Sequence, residues 1–205
     1  MTPKWLEWSQ KLQSLAQCGL NYTDNEFEIE RYNLIQEIAS EMISYQSGAD
    51  KSEINKFFAS EMGHSTPKVD VRGIVFKGDE ILLVKEKADG KWTVPGGWAD
   101  VGSTPSENVE REIFEESGYR VKTKKVLAVY DRNKQGHTPF IYHLYKIFFL
   151  CEIIGGDAKR GIETDEVEFF AEDQLPELST GRITEKQISR FFEHLRYPDL
   201  STDFD

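Results

Sequence analysis

The run Arg111-Glu112-Ile113-Phe114-Glu115-Glu116 sets an arginine and three glutamates within six residues. At about 100° per residue, Glu112, Glu115 and Glu116 fall on one face of a helix, within roughly a third of its circumference. Like charges so placed repel each other and weaken a helix. A segment shaped for stability alone would not cluster them. A divalent cation would relieve the repulsion. Hard carboxylate oxygens with few protein contacts suit Mg²⁺, which keeps several waters and binds substrate phosphates as well. Arg111 stands four residues before Glu115, the spacing of an ion pair that would orient that carboxylate. The bland alternative is a solvated acidic helix face with an incidental arginine.

The flanking residues weigh against that alternative. Thr104 can cap a helix, Pro105 suits its first position, Glu107 completes a capping box, and Gly118 is a stop. Ahead of the helix, Gly96-Gly97 forms a turn whose backbone can approach a ligand closely. Val69–Phe76 reads as a strand, Lys77–Glu80 as a hairpin turn, and Ile81–Glu86 as its partner, apolar enough to be central. Ala88-Asp89-Gly90 turns the chain again toward the Gly-Gly turn. Trp92 is expected in the core. Trp98 is balanced between walling the core and stacking on a base.

After Gly118, Arg120–Tyr130 and Phe140–Glu152 read as strands. Between them, Arg132, Lys134 and His137 form a polar loop. It is either a contact for a phosphate or for the substrate's leaving half, or an ordinary solvated hairpin loop. His143, embedded in the second strand, is more often a core or pocket-edge histidine than a substrate contact. Gly155-Gly156-Asp157 is a turn. A helix over Thr184–Leu195 carries a second capping box, with Gln187, and the tail after Pro198 is expected to fray.

Before Val69 the pattern is helical. Residues 3–19 make one helix ending near Gly19. A second is capped by Thr23 with Glu26, and a third covers residues 51–61. The linker Gly63-His64-Ser65-Thr66-Pro67 divides the chain into an all-helical part, residues 1–64, and a mixed part, residues 65–205. Trp5 and Trp8 suit core or dimer-interface packing better than nucleic-acid stacking, because few basic residues lie among them.

Of 205 residues, 36 are acidic and 25 are Lys or Arg, for a net charge of −11. That argues against a nucleic-acid binder working by phosphate neutralisation. A phosphate substrate remains open if metal ions supply the positive charge. Cys18 and Cys151 have no metal-site spacing and read as buried, reduced thiols. The N-terminus lacks a signal-peptide pattern, and no apolar run approaches a membrane span. A soluble, cytoplasmic chain without a membrane partner is the expectation.

The stretch Gly96–Tyr119 resembles the Nudix box of the Nudix hydrolases. Gly97, Arg111, Glu112, Ile113, Glu115, Glu116 and Gly118 match it in register. Ser103 stands where the box has its first Glu, and Tyr119 replaces the last aliphatic. The resemblance implies an α+β fold: an α/β/α sandwich around a mixed sheet, here preceded by a small all-helical domain. It implies Mg²⁺- or Mn²⁺-dependent attack of water on a nucleoside diphosphate linked to another moiety. Glu112, Glu115 and Glu116 would hold the metal, joined by a backbone carbonyl at Gly96 or Gly97, with Arg111 orienting the carboxylates. A further catalytic or metal-binding acid on a later loop is implied, with Glu163 and Glu166 the candidates; Glu163 is favoured as general base, against the plain alternative of a surface acid. The helical extension resembles that of CDP-choline pyrophosphatases and of proteins called ADP-ribose pyrophosphatases. CDP-choline is the expected substrate, with ADP-ribose or a nucleotide sugar next. A phosphodiesterase acting on RNA ends and a non-catalytic ligand sensor are the more distant readings. A homodimer is expected from family habit and the aromatic extension.

Overall fold

The computed structural model describes residues 2–205, which form two compact units. The first runs to Pro67 and also takes in Pro139–His143. It holds helices α1 (Lys4–Tyr22), α2 (Glu26–Ser47) and α3 (Lys51–Ser60). Leu6, Ala39, Ile43, Ile54 and Phe58 form its core, with Ile141 packed against them. Gly19 is a packing residue: a Cβ there would lie 2.3 Å from the Tyr32 ring. Helix α1 therefore runs three residues beyond the expected stop. The cap of α2 is Asn25, whose side chain accepts from the Phe27 and Glu28 N–H groups. Thr23, the expected cap, instead accepts from Asn25 N–H and donates to Glu28. Cys18 is only half-buried, 3.6 Å from His64 Nδ1, so one of the two thiols departs from the buried expectation.

The second unit is built on strands β1 (Lys68–Lys77), β2 (Glu80–Glu86), β3 (Trp92–Thr93), β4 (Gly96–Trp98), β5 (Tyr119–Asp131), β6 (Leu144–Gly156), β7 (Thr164–Ala171) and β8 (Asp203–Phe204), with helices α4 (Pro105–Ser117) and α5 (Glu185–Arg196). The sheet is mixed. Strand order is β3-β2-β1-β6-β5-β8, with β4 pairing β1 and β7 pairing β2. β1 runs parallel to β6 and antiparallel to β2 and β4. Side chains alternate across β1. Ile74 and Phe76 pack with Phe191 and Phe192 of α5, while Val71 and Val75 pack with Val109 and Ile113 of α4. The result is a helix on each face of one sheet. Gly73 lets α4 come close, because a Cβ there would lie 2.2 Å from Ile113 Cδ1.

Two expectations need correction. The tail is not frayed: Asp203 takes two bonds from Arg190, 2.6 and 2.7 Å, and one from His194, so β8 is clamped beside β5. The loop after β5 is solvated only in part, with Lys134 and Thr138 exposed. It forms a 3₁₀ turn, Arg132–Lys134, in which Arg132 is buried and bonded to Gly181 O, with His137 buried behind it. His143 precedes β6 rather than lying in it, because pairing starts at Leu144.

His137 Nδ1–H donates to Thr180 O at 2.9 Å, and Nε2 has no hydrogen-bond partner among the described residues. Burial lowers its pKa from 6.5 to about 4. Across that window the unfolded chain binds a proton that the folded chain refuses. Stability therefore rises with pH through the window and is lost as pH falls from about 6.5 to about 4, by up to about 3 kcal/mol. Urea melts at pH 7.5 and pH 4.5 test this. His137→Asn should shrink the stability difference between the two pH values by about 2–3 kcal/mol, and an unchanged difference would refute it.

Candidate active site

Helix α4 begins and ends as its sequence dictates. Thr104 accepts from Glu107 N–H, the Glu107 carboxylate accepts from Thr104 N–H at 2.8 Å, and Gly118 closes the helix at φ 78°. Strand β4 delivers the Gly96-Gly97 turn against the helix's acidic face. Gly96 N–H donates to Glu116 Oε2 at 2.9 Å. Gly96 has φ 140°, and a Cβ there would lie 2.1 Å from Val71 O, so only glycine fits. A Cβ on Gly97 would lie 3.0 Å from Glu112 Oε2. Two of the three carboxylates thus rest on the turn. The third, Glu115, is held by Arg111 Nη1 at 3.1 Å. Arg111 Nη2 reaches Glu112 at 2.9 Å and Asp100 at 2.7 Å.

Burial dominates the electrostatics of these acids. Burial pushes the Glu116 carboxyl up to about 8, although Arg72 and the Gly96 N–H oppose it. Burial also raises Glu112 and Glu86. Behind them lies a buried cationic cluster. Arg72 grips Asp70 with two bonds of 2.9 Å, and Lys146 Nζ adds a third at 2.7 Å. Burial alone would raise Asp70, but the two cations hold it at about 2. Burial lowers Lys146 to about 8.

Above these groups opens a cavity of about 1280 Å³. Glu112, Glu115, Glu116, Glu86 and Glu163 line it together with Arg72, Arg111, Lys159, Arg160 and Arg182, and the two signs interleave: Arg111 pairs with Glu112 and Glu115, and Arg182 with Glu86 at 3.2 Å. Trp98 and Phe114 expose aromatic surface to it. The loop carrying Lys159 to Glu163 is docked on the end of α4. Lys159 N–H donates to Ser117 O, and Thr164 Oγ1, itself accepting from Gly161 N–H, donates to Glu116 O at 2.7 Å. These bonds satisfy last-turn carbonyls that a helix leaves open.

The sequence-designated residues divide between inside and outside this cavity. Gly97, Trp98, Arg111, Glu112, Glu115, Glu116 and Glu163 line it; Arg132, His137 and His143 do not. Glu166 is also outside, on β7, paired with Lys85 at 2.6 Å. The basic run after α4, which could have offered charge to an RNA, is engaged elsewhere: Lys122 with Glu110, Lys124 with Glu152, and Lys125 with the carbonyls of Pro198 and Leu200. Asp70, Arg72, Glu86, Asp100, Lys159, Arg160 and Arg182 were not singled out in the sequence. The signal for one pair was there: Asp70 and Arg72, two apart in an otherwise apolar strand, must share a face.

Hard oxygen donors on one helix face, one of them raised to about 8 by burial, fit a divalent cation by type and position. Among the described residues no three acidic, His or Cys side chains converge closely enough to hold an ion. Arg111 and Gly96 N–H hold the three carboxylates apart, and side-chain rotation would have to gather them.

Comparison with known proteins adds two regional matches. Residues 66–192 match the NUDIX domain, and residues 3–58 match a UDP-X-like, N-terminal oligomerisation domain. The chain is 45% identical over 202 residues to a Bacillus subtilis (strain 168) protein named "Putative ADP-ribose pyrophosphatase YjhB", covering 98% of this chain and 97% of that one. It is similar to the crystal structure of a UDP-X diphosphatase, with TM-score 0.64, 31% identity and 98% of each chain covered. It is also similar to an ADP-ribose pyrophosphatase from Streptococcus suis 89-1591, with TM-score 0.63, 38% identity, 68% of this chain and all of that one covered.

Proposed function

Since the chain belongs to the NUDIX family, and is a pyrophosphatase of it, we propose that it hydrolyses a nucleoside diphosphate linked to a second moiety, with CDP-choline the first substrate, giving CMP and phosphocholine. The observation that carries this reading is the meeting of the Glu112/Glu115/Glu116 face with the Gly96-Gly97 turn, at the floor of a cavity of about 1280 Å³. Ligand sites commonly enclose about 300–1,000 Å³, so both halves of such a substrate have room.

Glu112, Glu115 and Glu116, with a carbonyl of the Gly96-Gly97 turn, would hold Mg²⁺ or Mn²⁺. When bound, the cation would supply positive charge to the diphosphate and would lower the pKa of a water beside it. The protein's own residues do the rest. Arg111 aims Glu112 and Glu115, and Gly96 N–H aims Glu116. Lys159, Arg160 and Arg182 offer charge to the phosphates. Glu163, exposed at the cavity wall, is the candidate to take the water's proton. Trp98 and Phe114 offer aromatic faces to a base or to a quaternary ammonium, which such faces attract. ADP-ribose is the second reading, favoured by the names of the relatives.

The partner proposed is a second copy of the chain. On α1, Trp8, Leu15 and Tyr22 recur every seven residues, and on α2 Phe27, Leu34, Ile38 and Tyr45 repeat at seven and four; all are exposed. Apolar stripes of this kind pack against another helix surface.

With Mg²⁺, the purified protein should release CMP from CDP-choline faster than it cleaves ADP-ribose, UDP-glucose, a nucleoside triphosphate or a short RNA. Glu116→Gln should lower kcat by at least about 100-fold with the thermal midpoint kept. Preference for ADP-ribose would replace the substrate, and RNA shortening would replace the reaction. No turnover with cation bound would leave a sensor. Separately, Leu34→Asp with Ile38→Asp should move the protein to monomer mass in light scattering. Unchanged mass, or a monomeric starting protein, would defeat the assigned face.

A further inference from the structure

We propose that Asp100 is a positioning residue: it anchors Arg111 so that the guanidinium can release Glu112 and Glu115 to a cation without losing its own orientation. The inference rests on the cation reading above and adds a residue that no box position designates.

Arg111 faces three carboxylates. Two of them, Glu112 and Glu115, sit on its own helix and belong to the acidic face. A guanidinium left with those two alone would neutralise the groups a cation needs. Asp100 is the third, at 2.7 Å the closest, and it lies outside that face. Burial works against the Arg111 charge, but Glu112, Glu115 and Asp100 together raise its pKa, so the charge is fixed.

Asp100 is brought there by a built turn. Asn108, 1% exposed, accepts from Asp100 N–H at 3.0 Å through Oδ1. Its Nδ2 donates to the carbonyls of Asp100, Ser103 and Thr104, at 3.4, 3.3 and 3.2 Å. The same Oδ1 accepts from Arg111 Nη2 at 3.3 Å. One buried amide therefore ties the Asp100–Thr104 turn to the helix and meets the guanidinium itself. Ser103, at the box position where a Glu stands, has no carboxylate to offer. Asp100 supplies one from three residues earlier.

The test uses the full chain with Mn²⁺ as probe, read by the electron paramagnetic resonance of free Mn²⁺, alongside kcat on whichever nucleotide the wild type cleaves. Asp100 is well exposed, so Asp100→Asn should keep the thermal midpoint. It should weaken Mn²⁺ binding about tenfold, and lower kcat and raise the half-activating Mn²⁺ by about as much. Arg111→Ala should do the same or more. Asp100→Asn added to Arg111→Ala should then change either quantity by less than about twofold, because the two act as one unit. Effects that multiply in the double variant, or an Asp100→Asn protein that binds Mn²⁺ as the wild type does, would overturn the proposal. A wild type that binds Mn²⁺ but cleaves none of the nucleotides would sink the substrate reading alone; one that binds no Mn²⁺ would overturn both.

Discussion

Three carboxylates on one helix face must be held against their mutual repulsion, and the second unit is arranged around how that is done. The Gly96-Gly97 turn takes two of them: Gly96 N–H bonds to Glu116, and the Glu112 carboxylate lies against Gly97. The turn can stand there only because Gly96 adopts φ 140° against Val71 O. β1 holds that strand by pairing Val71 and Arg72 with Gly97 and Gly96. On its other side β1 admits α4 through Gly73. A single strand therefore fixes both the helix that carries the acids and the turn that meets them.

The balance of charge extends this arrangement downward. Asp70 has two cations, Arg72 and Lys146, so the buried cluster carries one surplus positive charge facing Glu116 and Glu86. Buried ion pairs are weak sources of stability, because desolvation offsets their attraction. Their value here is local: Arg72 is what opposes the neutralisation of Glu116 by burial. It opposes it incompletely, which leaves room for a further positive charge at the surface of the acids.

Much of this was legible because it is local. The capping box at Thr104 and Glu107, the stop at Gly118, the shared face of Glu112, Glu115 and Glu116, and the Arg111–Glu115 pair all follow from helix periodicity within a few residues. What escaped depends on pairing between distant segments. Lys146 meets Asp70 because β1 and β6 run parallel in a register that sets the two residues side by side, and nothing in either segment alone announces it. Arg132 and His137, polar by type, were open to two readings, a substrate contact or a solvated loop, and neither reading includes burial. Their burial comes from the Ser179–Gly181 segment, which supplies carbonyls to both from more than forty residues away. Asp100 lies close in sequence, but its partner is chosen by the fold of a turn around Asn108. The end of α1 was misplaced because Gly19 has two readings, helix stop and close packing, and only the position of Tyr32 decides between them.

The most direct test is the anomalous diffraction of crystals soaked in Mn²⁺. The account predicts an anomalous peak bounded by Glu112, Glu115, Glu116 and the carbonyls of the Gly96-Gly97 turn, with the Glu115 carboxylate swung away from Arg111. Anomalous density elsewhere in the cavity, or none in crystals soaked at a concentration that supports turnover, would contradict it.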